Sequence, residues 1–197
     1  MNQNSISVLL IHGLWDTPRI FNKFIEETKP SNKVYRPHLP HQLGRSSIYK
    51  LASELDQYIF NNLPHDEPLN IMGFSMGGII ARVWIQLFKG HRRTNTFVSI
   101  GSPHQGTITA QLIPPILFRG IADMKKGSNL LKSLNYDLAC LKDINCTSFY
   151  CKYDLMVIPG WEAVAPIGKA VSVPVLTHKE LITSPKAFKL YSEKLFT

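Results

Sequence analysis

Short apolar, β-branched runs alternating with longer stretches of helical period predict an α/β fold: a mainly parallel sheet of about six strands with helices on both faces. Two further observations bound it. No internal repeat is visible, and 197 residues give room for one sizeable core rather than two. Along the chain, the run 7–11 (Ser-Val-Leu-Leu-Ile) reads as a buried strand ended by His12-Gly13. Thr17-Pro18 places an N-cap before a proline at the first helical position and opens a helix to about Glu27. Val34-Tyr35 is a brief second strand before a loop rich in Pro and His. Ser46 or Ser47 caps a helix whose apolar face is Ile48, Leu51, Leu55, Tyr58 and Ile59. The runs 69–72 and 96–100 are the next strands, with a helix from Gly78 to about Lys89 between them. The segment 108–135 is irregular and strongly apolar. The runs 147–153 and 171–176 read as the last two strands, and an amphipathic helix over about 184–195 closes the chain.

Composition excludes several classes. Hydrophobic residues make up 44% and charged residues 18%, ordinary for a globular protein and unlike a disordered or collagen-like chain. The apolar runs fall far short of the ~20 residues of a membrane span. The first residues form no basic-then-apolar leader, so the expected location is cytoplasmic. Cys140, Cys146 and Cys151 have no zinc-ligand spacing and read as reduced thiols; no metal or cofactor is expected. The formal charge is +8, from 22 Lys+Arg against 14 Asp+Glu. That excess favours an anionic partner, such as an anionic lipid surface. No helix-turn-helix, zinc or RNA-binding pattern accompanies it, so nucleic acid is not expected.

One loop carries chemistry. Gly73-Phe74-Ser75-Met76-Gly77 directly follows the strand 69–72 and precedes a helix, the setting a nucleophile elbow requires. The glycines allow the tight turn that exposes the serine, and the helix brings its positive N-terminal end near a developing oxyanion. A serine hydroxyl needs a base, and the base an orienting carboxylate, in the chain order Ser, acid, His. His91 lies at the wrong end of the sheet, and His104 precedes every good acid candidate. His178 follows the last strand and is the expected base. Asp154, directly after the strand 147–153, is the expected acid, with Glu162 in reserve; Asp123, Asp137 and Asp143 lie in the insert or at the opposite edge. The backbone N–H groups of Met76 and Leu14 are the expected oxyanion donors. His12 reads as structural, pinning the loop that carries Leu14.

Leu10-Ile11-His12-Gly13, the Ser75 motif and Gly101-Ser102-Pro103-His104-Gln105-Gly106-Thr107 together resemble the α/β-hydrolase superfamily, in particular small bacterial lipases and lipase-like esterases. The stretch from Asp123 to Leu131 is also similar to that group. The resemblance implies a compact α/β-hydrolase core and hydrolysis of carboxylic esters of acyl chains, triacylglycerol lipase-like, with a small-molecule or lipid ester as substrate. An acyltransferase or thioesterase using the same triad stays open, and so does a non-catalytic binding module of the same fold. The chain is expected to be a single domain over residues 1–197, in which 108–135 forms an acyl-side wall or partial lid. Trp15, Leu112, Ile113 and Leu117, with the side chains of Leu14 and Met76, are the candidate pocket residues.

Overall fold

The computed structural model describes residues 6–196. One sheet of six parallel strands runs in the order β2-β1-β3-β4-β5-β6. Its strands are β1 (Ser7–Ile11), β2 (Val34–Tyr35), β3 (Leu69–Phe74), β4 (Thr94–Ile100), β5 (Asn145–Tyr150) and β6 (Lys169–Ser172). The helices are α1 (Asn22–Thr28), α2 (Ile48–Asn62), α3 (Met76–Leu87), the short α4 (Ile108–Gln111), α5 (Arg119–Ala122) and α6 (Asn129–Tyr136), and α7 (Pro185–Leu195).

The sheet divides the interior into two cores. In β1, Leu9 and Ile11 pack with α2, α3 and α6 on one face, while Val8 and Leu10 pack with α1 and α7 on the other. Every residue of β1 and β3 is therefore buried, which is why these strands are unbroken runs without polar alternation. Helix α2 begins where Ser47 Oγ accepts from Lys50 N–H, choosing between the two candidate caps. Its apolar stripe, Ile48, Leu51, Leu55 and Ile59, is buried. Thr17-Pro18 starts a single 3-10 turn, Pro18–Phe21, before α1 proper.

The structure corrects several boundaries. Helix α3 starts at Met76, two residues earlier than Gly78, because the chain turns from strand to helix at Ser75 alone. Strand β5 spans Asn145–Tyr150, earlier than 147–153, since its partners in β4 begin at Thr96. Strand β6 ends at Ser172 instead of running from 171 to 176. Pro174 has no N–H to continue the ladder, and Val175 N–H turns back to Val173. The segment 108–135 folds as three short helices. Ile121, Met124, Leu131 and Leu134 turn inward, whereas Leu112, Ile116 and Leu117 stay in water. No helix among the described residues is long and apolar enough to cross a membrane.

Candidate active site

Because all strands are parallel, the loops after β1, β3, β4, β5 and β6 gather at one edge of the sheet, and Leu14, Ser75, Asp154 and His178 lie at that edge. Ser75 is the single residue between β3 and α3, with φ 54° and ψ −126°. Such a conformation costs a non-glycine residue about 1–3 kcal/mol and survives only when its surroundings hold it. They do: Ser75 N–H donates to Ile100 C=O, and Ser75 C=O accepts from Gly78 N–H. Gly77 makes the turn feasible, because a Cβ there would overlap the carbonyls of Ile11 and His12.

Asp154 lies four residues beyond β5 and is 3% exposed. One carboxylate oxygen accepts from the backbone N–H groups of Met156 (2.8 Å) and Val157 (3.1 Å). The other is 2.6 Å from His178 Nδ1, whose proton it accepts. The bond from Nδ1–H to this carboxylate fixes the imidazole tautomer and leaves Nε2 free to take a proton. The imidazole sits 4.9 Å from the Phe74 ring. On its other side is Gly101 (φ 56°), where a Cβ would press on the ring. His178 and Ser75 both line one cavity of about 160 Å³. No hydrogen bond joins Ser75 Oγ to the imidazole among the described residues.

The rest of the cavity wall is Leu14, Trp15, Asp16, Pro103, Thr107, Thr109, Ala110, Ile113, Ile121, Met124, Met156 and Val157. Trp15 and Ile113 thus stand where the sequence suggests. Leu112 and Leu117 lie outside the wall, 87% and 59% exposed. The Met76 side chain packs into the core, while its N–H belongs to the first turn of α3, where helix donors lack intrahelical partners. Leu14 is the second residue of a tight turn over residues 13–16, in which Trp15 takes φ 63° and Asp16 N–H donates to Gly13 C=O. His12 holds this turn: its Nε2 accepts from Leu39 N–H and its Nδ1–H donates to Gly13 C=O. Burial first, then the charges of His38 and His41, lower its pKa to about 4 against the raising effect of the Gly13 bond, so it is neutral at physiological pH.

The other candidates are occupied elsewhere. Glu162 pairs with Lys126 at 2.7 Å. Asp123 accepts from Ile48 N–H, and Asp137 from Ala139 N–H. His104 is fully buried, and burial with the nearby Arg82 charge pushes its pKa well below the usual histidine value. The three cysteines are unpaired thiols, and the described residues contain no cluster of three or more metal-ligating side chains. A wider groove of about 400 Å³ between α2 and α3, lined by Phe60, His65 and Trp84 among others, holds no serine or cysteine.

Two contributors escape the sequence reading. Asp16 puts a half-buried carboxyl on the cavity wall; burial raises its pKa, opposed by the charges of His178, His41 and Lys179. Its position in the same loop as Leu14 was the available signal. Thr107 fastens two loops together: its Oγ1 donates to Met156 C=O and accepts from Ile158 N–H. Only tertiary contact reveals it.

The sequence profile of the palmitoyl protein thioesterase family matches residues 7–153, from β1 to the residue before Asp154. The chain belongs to the palmitoyl protein thioesterase family. The lysosomal thioesterase PPT2-B of Xenopus laevis is 27% identical to it over 112 residues, covering 52% of this chain; the alignment spans 38% of that relative's length. Among solved structures, Aspergillus fumigatus lipase B superposes with a TM-score of 0.78 at 17% identity, covering 98% of this chain and 53% of the lipase. Bacillus licheniformis lipase BlEst2 in its mature form gives 0.75 at 13% identity, covering 100% and 94%. The fold shared with these lipases is the α/β-hydrolase fold that the sequence motifs resemble.

Proposed function

We propose that this protein is a serine hydrolase that cleaves carboxylic esters of acyl chains through Ser75, His178 and Asp154. The 2.6 Å contact between the Asp154 carboxylate and His178 Nδ1, made at the cavity that also holds Ser75, carries the reading. It leaves Nε2 as the one basic nitrogen, and the apolar wall suits an acyl chain. In the first step Ser75 Oγ bonds to the carbonyl carbon as its proton passes to Nε2. The carbonyl oxygen takes the electron pair and is met by the N–H groups of Leu14 and Met76. Collapse breaks the bond to the leaving oxygen, which takes the proton from His178. Water, deprotonated by the same nitrogen, then releases the acid and restores Ser75.

A thioester substrate is the second reading, favoured by the family match over residues 7–153. The steps are the same with a thiolate leaving. Turnover of p-nitrophenyl butyrate beside a butyryl thioester of N-acetylcysteamine compares the two. Ser75→Ala should lower both rates by on the order of 10⁶-fold, to the residual left by oxyanion donors and binding. An S75A protein as active as its parent would overturn the proposal.

A further inference from the structure

The loops around the cavity hold many of the large apolar side chains that the protein leaves in water. Trp15 and Leu43 follow β1 and β2, Leu112 and Ile116 follow β4, Leu155 follows β5, and Leu176 follows β6; all are between 59% and 91% exposed. They sit on or beside the loops that form one cavity. Trp15 lines the cavity itself, and Leu112, Leu155 and Leu176 are within two residues of the lining residues Ile113, Met156 and His178. Leu43 adjoins Gly44, which packs on the lining residues Ile121 and Leu14. Surface apolar residues scattered singly are ordinary, but a group of them on the loops of one cavity marks a surface made to be covered.

The charges on the same loops say by what. Arg45, Arg119, Lys152 and Lys179 are exposed and have no carboxylate within 4.0 Å among the described residues. The acids of these loops are engaged by other groups of the chain. Asp123 accepts from Ile48 N–H, and Asp154 from His178. Glu162 pairs with Lys126, and Glu180 accepts from Leu176 and Thr177 N–H. Asp16 stays half-buried on the cavity wall. The rim therefore presents free cations between apolar side chains. A second copy of the chain would set two cationic rims against each other.

We infer that this rim docks the protein on a bilayer carrying anionic lipid, with Leu43, Leu112 and Ile116 entering the headgroup–acyl boundary and Arg45, Arg119 and Lys152 meeting lipid phosphates. The inference rests on the proposed hydrolase only for the meaning of the cavity; docking needs no turnover. The test is co-sedimentation of the S75A protein with vesicles of phosphatidylcholine alone and of an equal mixture of phosphatidylcholine and phosphatidylglycerol. We expect binding to the mixed vesicles that weakens toward about 0.5 M salt, where charges a few ångströms apart are already screened. R45Q/R119Q/K152Q and L43S/L112S/I116S, each with the parent's circular dichroism, should bind about tenfold or more weakly. In the Ser75 background both should still turn over a soluble p-nitrophenyl ester at the parent rate, because none of the six residues borders the cavity. No sedimentation with mixed vesicles, or either triple variant binding as tightly as its parent, would overturn the inference. So would a dimer by light scattering that L43S/L112S/I116S dissolves.

Discussion

At the scale of single residues, the cavity combines groups that suit folding with groups that oppose it. Asp154 is fully engaged, with three N–H donors on its two oxygens. Asp16 is the reverse case: no hydrogen bond holds its carboxyl among the described residues, and burial raises its pKa. A carboxyl whose folded pKa is raised favours folding at pH values below its unfolded pKa and loses that contribution as pH rises through the folded one. Asp16→Asn should therefore melt at a higher temperature than the parent at pH 7, with the difference shrinking toward zero near pH 3. Thermal melts across that range test this. Equal melting temperatures at pH 7 would show that Asp16 is not strained by its surroundings. A group that costs stability and faces Ser75 fits a role in the site, where such costs are commonly retained.

At the scale of elements, the site depends on loops from different strands being tied to each other. The loop after β4 meets the acid-bearing loop after β5 through Thr107, through Thr109 Oγ1 donating to Met156 C=O, and through Ile108 N–H donating to Ile158 C=O. Thr107→Val preserves shape but leaves the Ile158 N–H without its partner, a loss of about 1–3 kcal/mol if no water replaces it. The melting temperature should fall by several degrees. kcat should fall more than KM rises, because the loosened loop carries Asp154 and not the bulk of the acyl wall. Unchanged melting and kinetics would mean that the other ties suffice. The insert shows the same division of labour: α5 and α6 bury Ile121, Leu131 and Leu134, and the connection between α4 and α5 carries the exposed Leu112 and Ile116.

At the scale of the molecule, buried histidines set the response to acid. His12 has a pKa of about 4 in the folded protein against 6.5 when unfolded, and complete burial with the nearby Arg82 charge pushes His104 well below the usual histidine value too. Between these values the unfolded chain binds a proton that folded His12 refuses, so stability falls as pH drops from 6.5 toward 4. His12 alone contributes about 3 kcal/mol of that fall. Asp16, whose pKa burial raises, acts in the opposite direction. Urea midpoints should decline steadily from pH 7 to pH 4.5, and a flat profile would contradict the burial of both imidazoles. The +8 charge adds to this, since acid makes an already cationic chain more so.

How much of this was legible in the chain follows from what is local. The unbroken run 7–11, the serine pair at 46 and 47 and the proline after Thr17 are local signals, and they predict the parallel sheet, α2 and the turn that leads into α1. Gly73, Ser75 and Gly77 are local too, because a strand-to-helix turn at a single residue demands small neighbours. Chain order with topology pointed to His178 and Asp154, since loops after parallel strands must share one edge. Local pattern could not say which side of the insert faces the cavity. Ile113 and Leu112 are adjacent and equally apolar, yet one lines the wall and the other is 87% exposed. That choice is made by packing: Ile113 lies against the core cluster that holds Ile121 and Met124, and Leu112 does not. The same holds for Asp16, an ordinary acidic loop residue until Gly13, His178 and His41 surround it, and for Thr107, whose partners lie 49 and 51 residues away. The sequence by itself determined the order of most strands and long helices and the chain order of Ser75, Asp154 and His178, because backbone propensity and burial period act over a few residues. Only the tertiary structure decided the cavity wall, the loop ties and the exposed rim, because these depend on which distant side chains exclude water together.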